Sequence, residues 1–143
     1  MFRLFCKILS ALVLSMGLMA PALADDAPMS IPSVTTVDAQ ALIELFEKMP
    51  NLVLLDNRKE ADYASGHIEG AVRLIDTDIT DDAVFAKFIP AKDNPVLFYC
   101  NGVKCGRAAI AASKAVKAGY SKVYYYALGM DEWRQKNLPL VKN

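Results

Sequence analysis

The sequence predicts an α/β domain with a central parallel sheet and helices on both faces. Short, mostly apolar runs at Leu52–Leu55, Pro95–Tyr99 and Lys122–Tyr125 have the length and composition of strands buried in such a sheet. Segments with apolar residues at helical spacing lie between them, and this alternation is what crossovers between parallel strands require. The second run ends in Cys100, which enters a glycine-containing loop opening onto an alanine-rich helix. Sites in open parallel sheets collect at such strand ends.

Residues 1–24 read as a secretory signal peptide. Arg3 and Lys7 give a positive start, Ile8 to Ala20 is almost wholly apolar, and Ala22-Leu23-Ala24 has the form of a cleavage site. The apolar run is shorter than the roughly 20 residues that span a membrane. The expectation is a cleaved leader, a periplasmic location and no stable membrane insertion afterwards. Residues 25–33, with Pro28 and Pro32, read as a flexible linker, and residues 34–143 as one domain.

Within that domain, Thr36 is positioned to cap a helix whose apolar face is Leu42, Ile43, Leu45 and Phe46 and which stops at Pro50-Asn51. Leu52–Leu55 follows as a buried strand. Arg58 to Tyr63 predicts a short helix ended by Ser65-Gly66, and Ala71 to Leu74 a brief strand. Asp81 to Phe88 predicts another helix, with Thr80 as cap. The strand before Cys100 is followed by a helix closed at Gly119. The strand Lys122–Tyr125 leads through Gly129 to a short helix anchored by Trp133. Alternating faces along Tyr124, Tyr125 and Tyr126 predict at least one buried ring and another lining a surface.

Lys and Arg together number 16, as do Asp and Glu, and loss of the leader leaves the chain slightly acidic. That balance argues against nucleic acid or an anionic membrane as partner.

The chemistry concentrates at residues 100–107. The first turn of a helix has unpartnered N–H groups and partial positive charge, so a thiolate or anion there is stabilised. Cys100 is the candidate nucleophile, ionising below the usual value of about 8.5. Asn101, Gly102, Val103, Lys104, Cys105, Gly106 and Arg107 form the candidate substrate-binding loop, with Lys104 or Arg107 as the cation facing an anion. Cys105 has three open roles: packing on the helix, a disulfide with Cys100, or a resolving thiol. Asp56 and Arg58 are supporting residues expected to organise the same crevice by hydrogen bonding. His67 is expected to be structural, and the spacing of the cysteines and histidine does not suit zinc, so no metal is expected.

LLDNR (Leu54 to Arg58), YASGHIEGAVRL (Tyr63 to Leu74), FYCNGVKCGR (Phe98 to Arg107) and LGMDEW (Leu128 to Trp133) together resemble the rhodanese-like sulfurtransferase family, in order and over most of the domain. The resemblance implies a rhodanese-like fold and a thiosulfate sulfurtransferase type of enzyme needing no cofactor. Its implied partners are a small anionic sulfur donor (thiosulfate, polysulfide or a persulfide) and a thiol or cyanide acceptor. Cys100 would carry the persulfide between them. In this chain Cys105 stands where the family's loop closes, often with an arginine, and Arg107 comes two residues later. Two alternatives follow: a periplasmic redox or sulfur-carrier module using the Cys100/Cys105 pair with a protein partner, and a phosphatase or arsenate reductase on the same fold.

Overall fold

The computed structural model describes residues 26–142; the expected leader and its cleavage site lie outside the described residues. Five strands form one all-parallel sheet: β1 (Thr35–Thr36), β2 (Val53–Asp56), β3 (Val72–Arg73), β4 (Val96–Tyr99) and β5 (Val123–Tyr126), in the order β1-β5-β4-β2-β3. The helices are α1 (Ala39–Lys48), α2 (Glu60–Ser65), α3 (Arg107–Lys117) and α4 (Gly129–Gln135). The α/β architecture expected from the apolar runs is the one observed.

Side-chain alternation sorts the core into two layers. Leu55, Val96, Phe98, Val123 and Tyr125 face α3 and the segment around Phe85. Leu54, Leu97, Tyr99 and Tyr126 face α1 and α4, where Leu42, Met130 and Trp133 are buried. Alanines 108, 111, 112 and 115 make the buried stripe of α3 and let that helix lie close against β4 and β5. Tyr125 and Tyr126 are both buried on opposite faces, and Tyr124 is only half-buried. Trp133 is buried as expected, its Nε1 donating to the Pro139 carbonyl at 2.9 Å.

Several local expectations need correction. Thr36 does not cap α1 but pairs in β1 with Tyr125; the cap is Asp38, which accepts from the Ala41 N–H at 2.8 Å. Between β3 and β4 there is a 3-10 helix at Asp82–Lys87, capped by Asp81 rather than Thr80. The expected linker is docked from its first described residue. Ala27 is buried and donates its N–H to the Val103 carbonyl at 2.6 Å, Asp26 pairs with Lys104, and Ile31 joins the core. Apolar side chains at positions 27 and 31 give this proline-containing segment something to bury, which composition alone did not disclose.

Candidate active site

The sheet register brings Asp56, Tyr99 and Tyr126 into one row at the C-terminal edge. Cys100 is the next residue after the central strand β4, so it is one position out of phase with that row. Strand alternation therefore sends Tyr99 to the α1 and α4 side, and Cys100 to the α3 side. Asp56 is level with Tyr99, and the common crevice expected for Asp56 and Cys100 is not formed.

Asp56 and Arg58 instead make a fully buried ion pair on the Tyr99 side. Arg58 Nη2 donates to Asp56 Oδ2 at 2.7 Å and to the Gly66 carbonyl at 2.8 Å, and its Cζ stands 5.9 Å from the Tyr99 ring centroid. Burial works against the Arg58 charge, but the hydrogen bonds and charge of Asp56 outweigh it and raise the pKa above its ordinary value. Burial first, and then Asp56, hold the Tyr99 hydroxyl well above its usual range, so it stays protonated. That hydroxyl accepts from the Ile68 N–H at 3.3 Å. The group fixes the Gly66 to Ile68 turn. His67 lies in that turn, stacked on Tyr63 with centroids 3.8 Å apart and bridged through its backbone to Val141. It is structural.

The loop is held by its carbonyls, three of them anchored from outside it and one within it. Cys100 O accepts from Met130 N at 3.0 Å, Asn101 O from Asp131 N at 2.8 Å, Gly102 O from Cys105 N at 2.9 Å, and Val103 O from Ala27 N at 2.6 Å. A trans peptide plane points its N–H away from its C=O. Anchoring these carbonyls therefore turns the N–H groups of Asn101 to Lys104 away from the anchors. Among the described residues none of those N–H groups, nor that of Gly106, has a backbone partner. The helix α3 begins at Arg107 and adds the free donors of its first turn. The loop that follows Cys100 thus leaves a run of backbone donors without partners.

Glycine is required at position 129, where the loop meets α4. Gly129 has φ +53°, and a β-carbon there would overlap the Cys100 carbonyl oxygen. At Gly102 a β-carbon would overlap the Asp131 carboxylate.

Cys100 and Cys105 are joined in a disulfide, with Cα atoms 6.1 Å apart, the bond that a resolving thiol at Cys105 would also form. Cys100 is 2% exposed and Cys105 7%. Both expected anion-binding cations are already paired. Lys104 pairs with Asp26, while Arg107 donates from Nη1 to Cys105 Sγ at 3.4 Å and has its Nε 3.9 Å from Asp76. Asn101 donates to Asp62 at 3.3 Å. An open cavity of about 480 Å³ beside the loop is lined by Val103, Leu128, Asp131, Glu132, Gln135 and Lys136, the last 3.7 Å from Glu132. Asp26, Asp62, Asp76 and Asp131 are the site residues that the sequence did not single out. Only Asp131 had a signal, its place beside Gly129 in LGMDEW. Among the described residues, no group of three or more His, Cys, Asp or Glu side chains could hold a metal ion.

A parallel α/β domain whose central strand ends in a cysteine, held in a loop of free N–H donors at the head of a helix, is a cysteine-loop domain. The rhodanese-like domain profile matches residues 38–136, and the chain belongs to that family. The uncharacterized protein YibN of Escherichia coli strain K12 is 33% identical over 91 residues, which make up 63% of this chain and 61% of YibN. The chain thus spans less than two thirds of that relative. The polysulfide-sulfur transferase of Wolinella succinogenes superposes with a TM-score of 0.61 at 21% identity, covering 78% of this chain and 80% of that one. The thiosulfate sulfurtransferase of Pseudomonas aeruginosa gives 0.65 at 20% identity, covering 76% of this chain but 20% of that one. These likenesses show the fold.

Proposed function

We propose that this protein is a sulfurtransferase that carries sulfane sulfur as a persulfide on Cys100. The thiolate of reduced Cys100 attacks the outer sulfur of a donor, the donor's sulfur–sulfur bond breaks, and the remainder leaves with the bonding electrons, as sulfite in the case of thiosulfate. An acceptor thiolate or cyanide then takes the outer sulfur and returns Cys100 to the thiolate. The observation that carries this reading is the loop of unpartnered N–H groups that follows a cysteine at the end of the central strand, which suits the charge of a thiolate or persulfide. The names of two structural neighbours make polysulfide and thiosulfate the donors to try first. With the leader removed, the protein would work in the periplasm.

The disulfide favours a second reading, a redox and sulfur-carrier module in which the Cys100/Cys105 pair hands electrons or sulfur to a periplasmic protein. Intact mass separates the two. The reduced protein should gain one sulfur from thiosulfate or polysulfide, Cys100→Ser should gain none, and cyanide or dithiothreitol should remove it. No adduct on a protein whose thiols are shown to be free would leave the redox module.

A further inference from the structure

We propose that the oxidised site also takes up hydrosulfide directly, with the Cys100–Cys105 disulfide as its electron acceptor and Arg107 selecting which sulfur is loaded. The inference rests on the reading that Cys100 carries the persulfide, and it adds a loading route that needs no sulfane donor. Hydrosulfide attacks Cys100 Sγ and a new sulfur–sulfur bond forms. The Cys100–Cys105 bond breaks, and Cys105 leaves as a thiolate with the electron pair. The products are a Cys100 persulfide and a Cys105 thiolate. Sulfide sulfur is oxidised and the disulfide is reduced, by two electrons each. Where dissolved hydrogen sulfide enters, its proton passes to solvent.

Arg107 gives the attack its direction. A disulfide is cleaved more readily when the departing thiol has the lower pKa, and a neighbouring guanidinium lowers it. The loop's N–H dipoles favour a thiolate at Cys100, but among the described residues only Cys105 Sγ has a guanidinium against it, Arg107 Nη1 at 3.4 Å, and this full charge makes Cys105 the sulfur prepared to leave and Cys100 the one prepared to be attacked. The unpartnered donors of the loop remain available for the persulfide formed there.

Size and charge select the nucleophile. Cys100 is 2% exposed, so a nucleophile of one sulfur atom reaches it more readily than a thiol on a peptide. Carboxylates of Asp26, Asp62, Asp76, Asp131 and Glu132 surround the loop, while the nearby Lys104, Arg107 and Lys136 are each paired. A dianion such as thiosulfate meets repulsion that a monoanion meets half as strongly and neutral hydrogen sulfide not at all.

The test uses full-length oxidised protein without reductant. It is mixed with sodium sulfide, quenched by alkylation, and examined by intact mass and peptide mapping. One hydrogen sulfide should be gained per chain, with the persulfide on Cys100 and a free thiol at Cys105, while reduced protein gains nothing from sulfide. Arg107→Gln should slow loading by about tenfold or more, the scale of losing one hydrogen bond from a charged group. The same variant should raise the pH at which Cys105 of the reduced protein becomes alkylated, and Arg107→Lys should restore part of both effects. A persulfide on Cys105, or an Arg107→Gln variant with unchanged rate and alkylation profile, overturns the proposal. Oxidised protein inert to sulfide, with reduced protein still loading from thiosulfate or polysulfide, removes this inference and leaves the sulfurtransferase standing. Failure of both forms with every donor removes both.

Discussion

Replacing Gly129 with alanine should damage both stability and the site, because the residue lies where α4 meets the Cys100 carbonyl. Its φ of +53° places a β-carbon in the left-handed region, a strain of about 1–2 kcal/mol. That β-carbon would also overlap Cys100 O and stand 3.1 Å from the carbonyl carbons of Cys100 and Asn101. Backbone at the end of a central strand cannot swing aside, so relief requires α4 to retreat from the loop. The hydrogen bonds from Met130 N to Cys100 O and from Asp131 N to Asn101 O would then weaken, at about 1 kcal/mol each. The expected loss is about 3–4 kcal/mol in urea unfolding, with slower sulfur loading because two of the loop's carbonyl anchors are gone. Gly102→Ala is the control. Its β-carbon overlaps the Asp131 carboxylate, which can rotate away, and stands 3.3 Å from Asp131 Cβ, which needs a shift of only a few tenths of an ångström, so the cost should stay near about 1 kcal/mol. A Gly129→Ala protein within about 1 kcal/mol of wild type, or a Gly102→Ala protein more damaged than Gly129→Ala, would refute the reasoning.

Arg58→Met leaves the buried Asp56 carboxylate without its partner and should cost about 3–5 kcal/mol in denaturant unfolding, with part recovered in the Asp56→Asn, Arg58→Met double variant. A single variant as stable as wild type would remove the ion pair from the account of the Gly66 turn. Burial raises the hydroxyl pKa of Tyr99, Tyr125 and Tyr126, with Asp56 adding to Tyr99 and Glu132 to Tyr126. The folded chain therefore keeps protons that the unfolded chain releases near pH 10, so this stability is complete below about pH 10 and declines above it. Each tyrosine should contribute a slope of about 1.4 kcal/mol per pH unit, and Tyr99→Phe should flatten the alkaline decline by one such share. An unchanged slope in that variant would mean that Tyr99 is not held protonated by the fold.

The strands are legible because β2, β4 and β5 are buried on both faces, and continuous apolar runs betray them directly. The two-residue strands differ. Thr35–Thr36 is exposed and polar, and it is a strand only because β5 offers it a ladder. Read locally, Thr36 therefore looks like a helix cap, two residues before the real one. The N-terminal segment misleads for a related reason. Two prolines and acidic residues look like a tether, while the bond from Ala27 to Val103 spans most of the chain and leaves no local trace. At the site, Cys100 and its loop can be located from strand, glycine and helix, because these are neighbours in sequence. The face expected for Asp56 is the opposite of the one it occupies. Being near a strand end places a residue at the edge of the sheet, but phase within the strand decides which side of the sheet it serves, and Asp56 is level with Tyr99 rather than with Cys100.

The acidic partners at the loop also change what its positive character means. Free lysine and arginine charges would draw anions from a distance of several ångströms and favour those with the most charge. Here Asp26 and Asp76 neutralise much of that field, and Asp131 adds negative charge close to Gly102. What remains in the loop after Cys100 is a run of unpartnered backbone N–H dipoles, fixed in direction because their carbonyls are anchored to α4, to the docked N-terminal segment and within the loop. Dipoles act at contact and fade quickly beyond it. Such a site attracts weakly from afar but can hold a single charge well once a small group has arrived, and this matches a persulfide formed in place better than a highly charged ligand captured from solution.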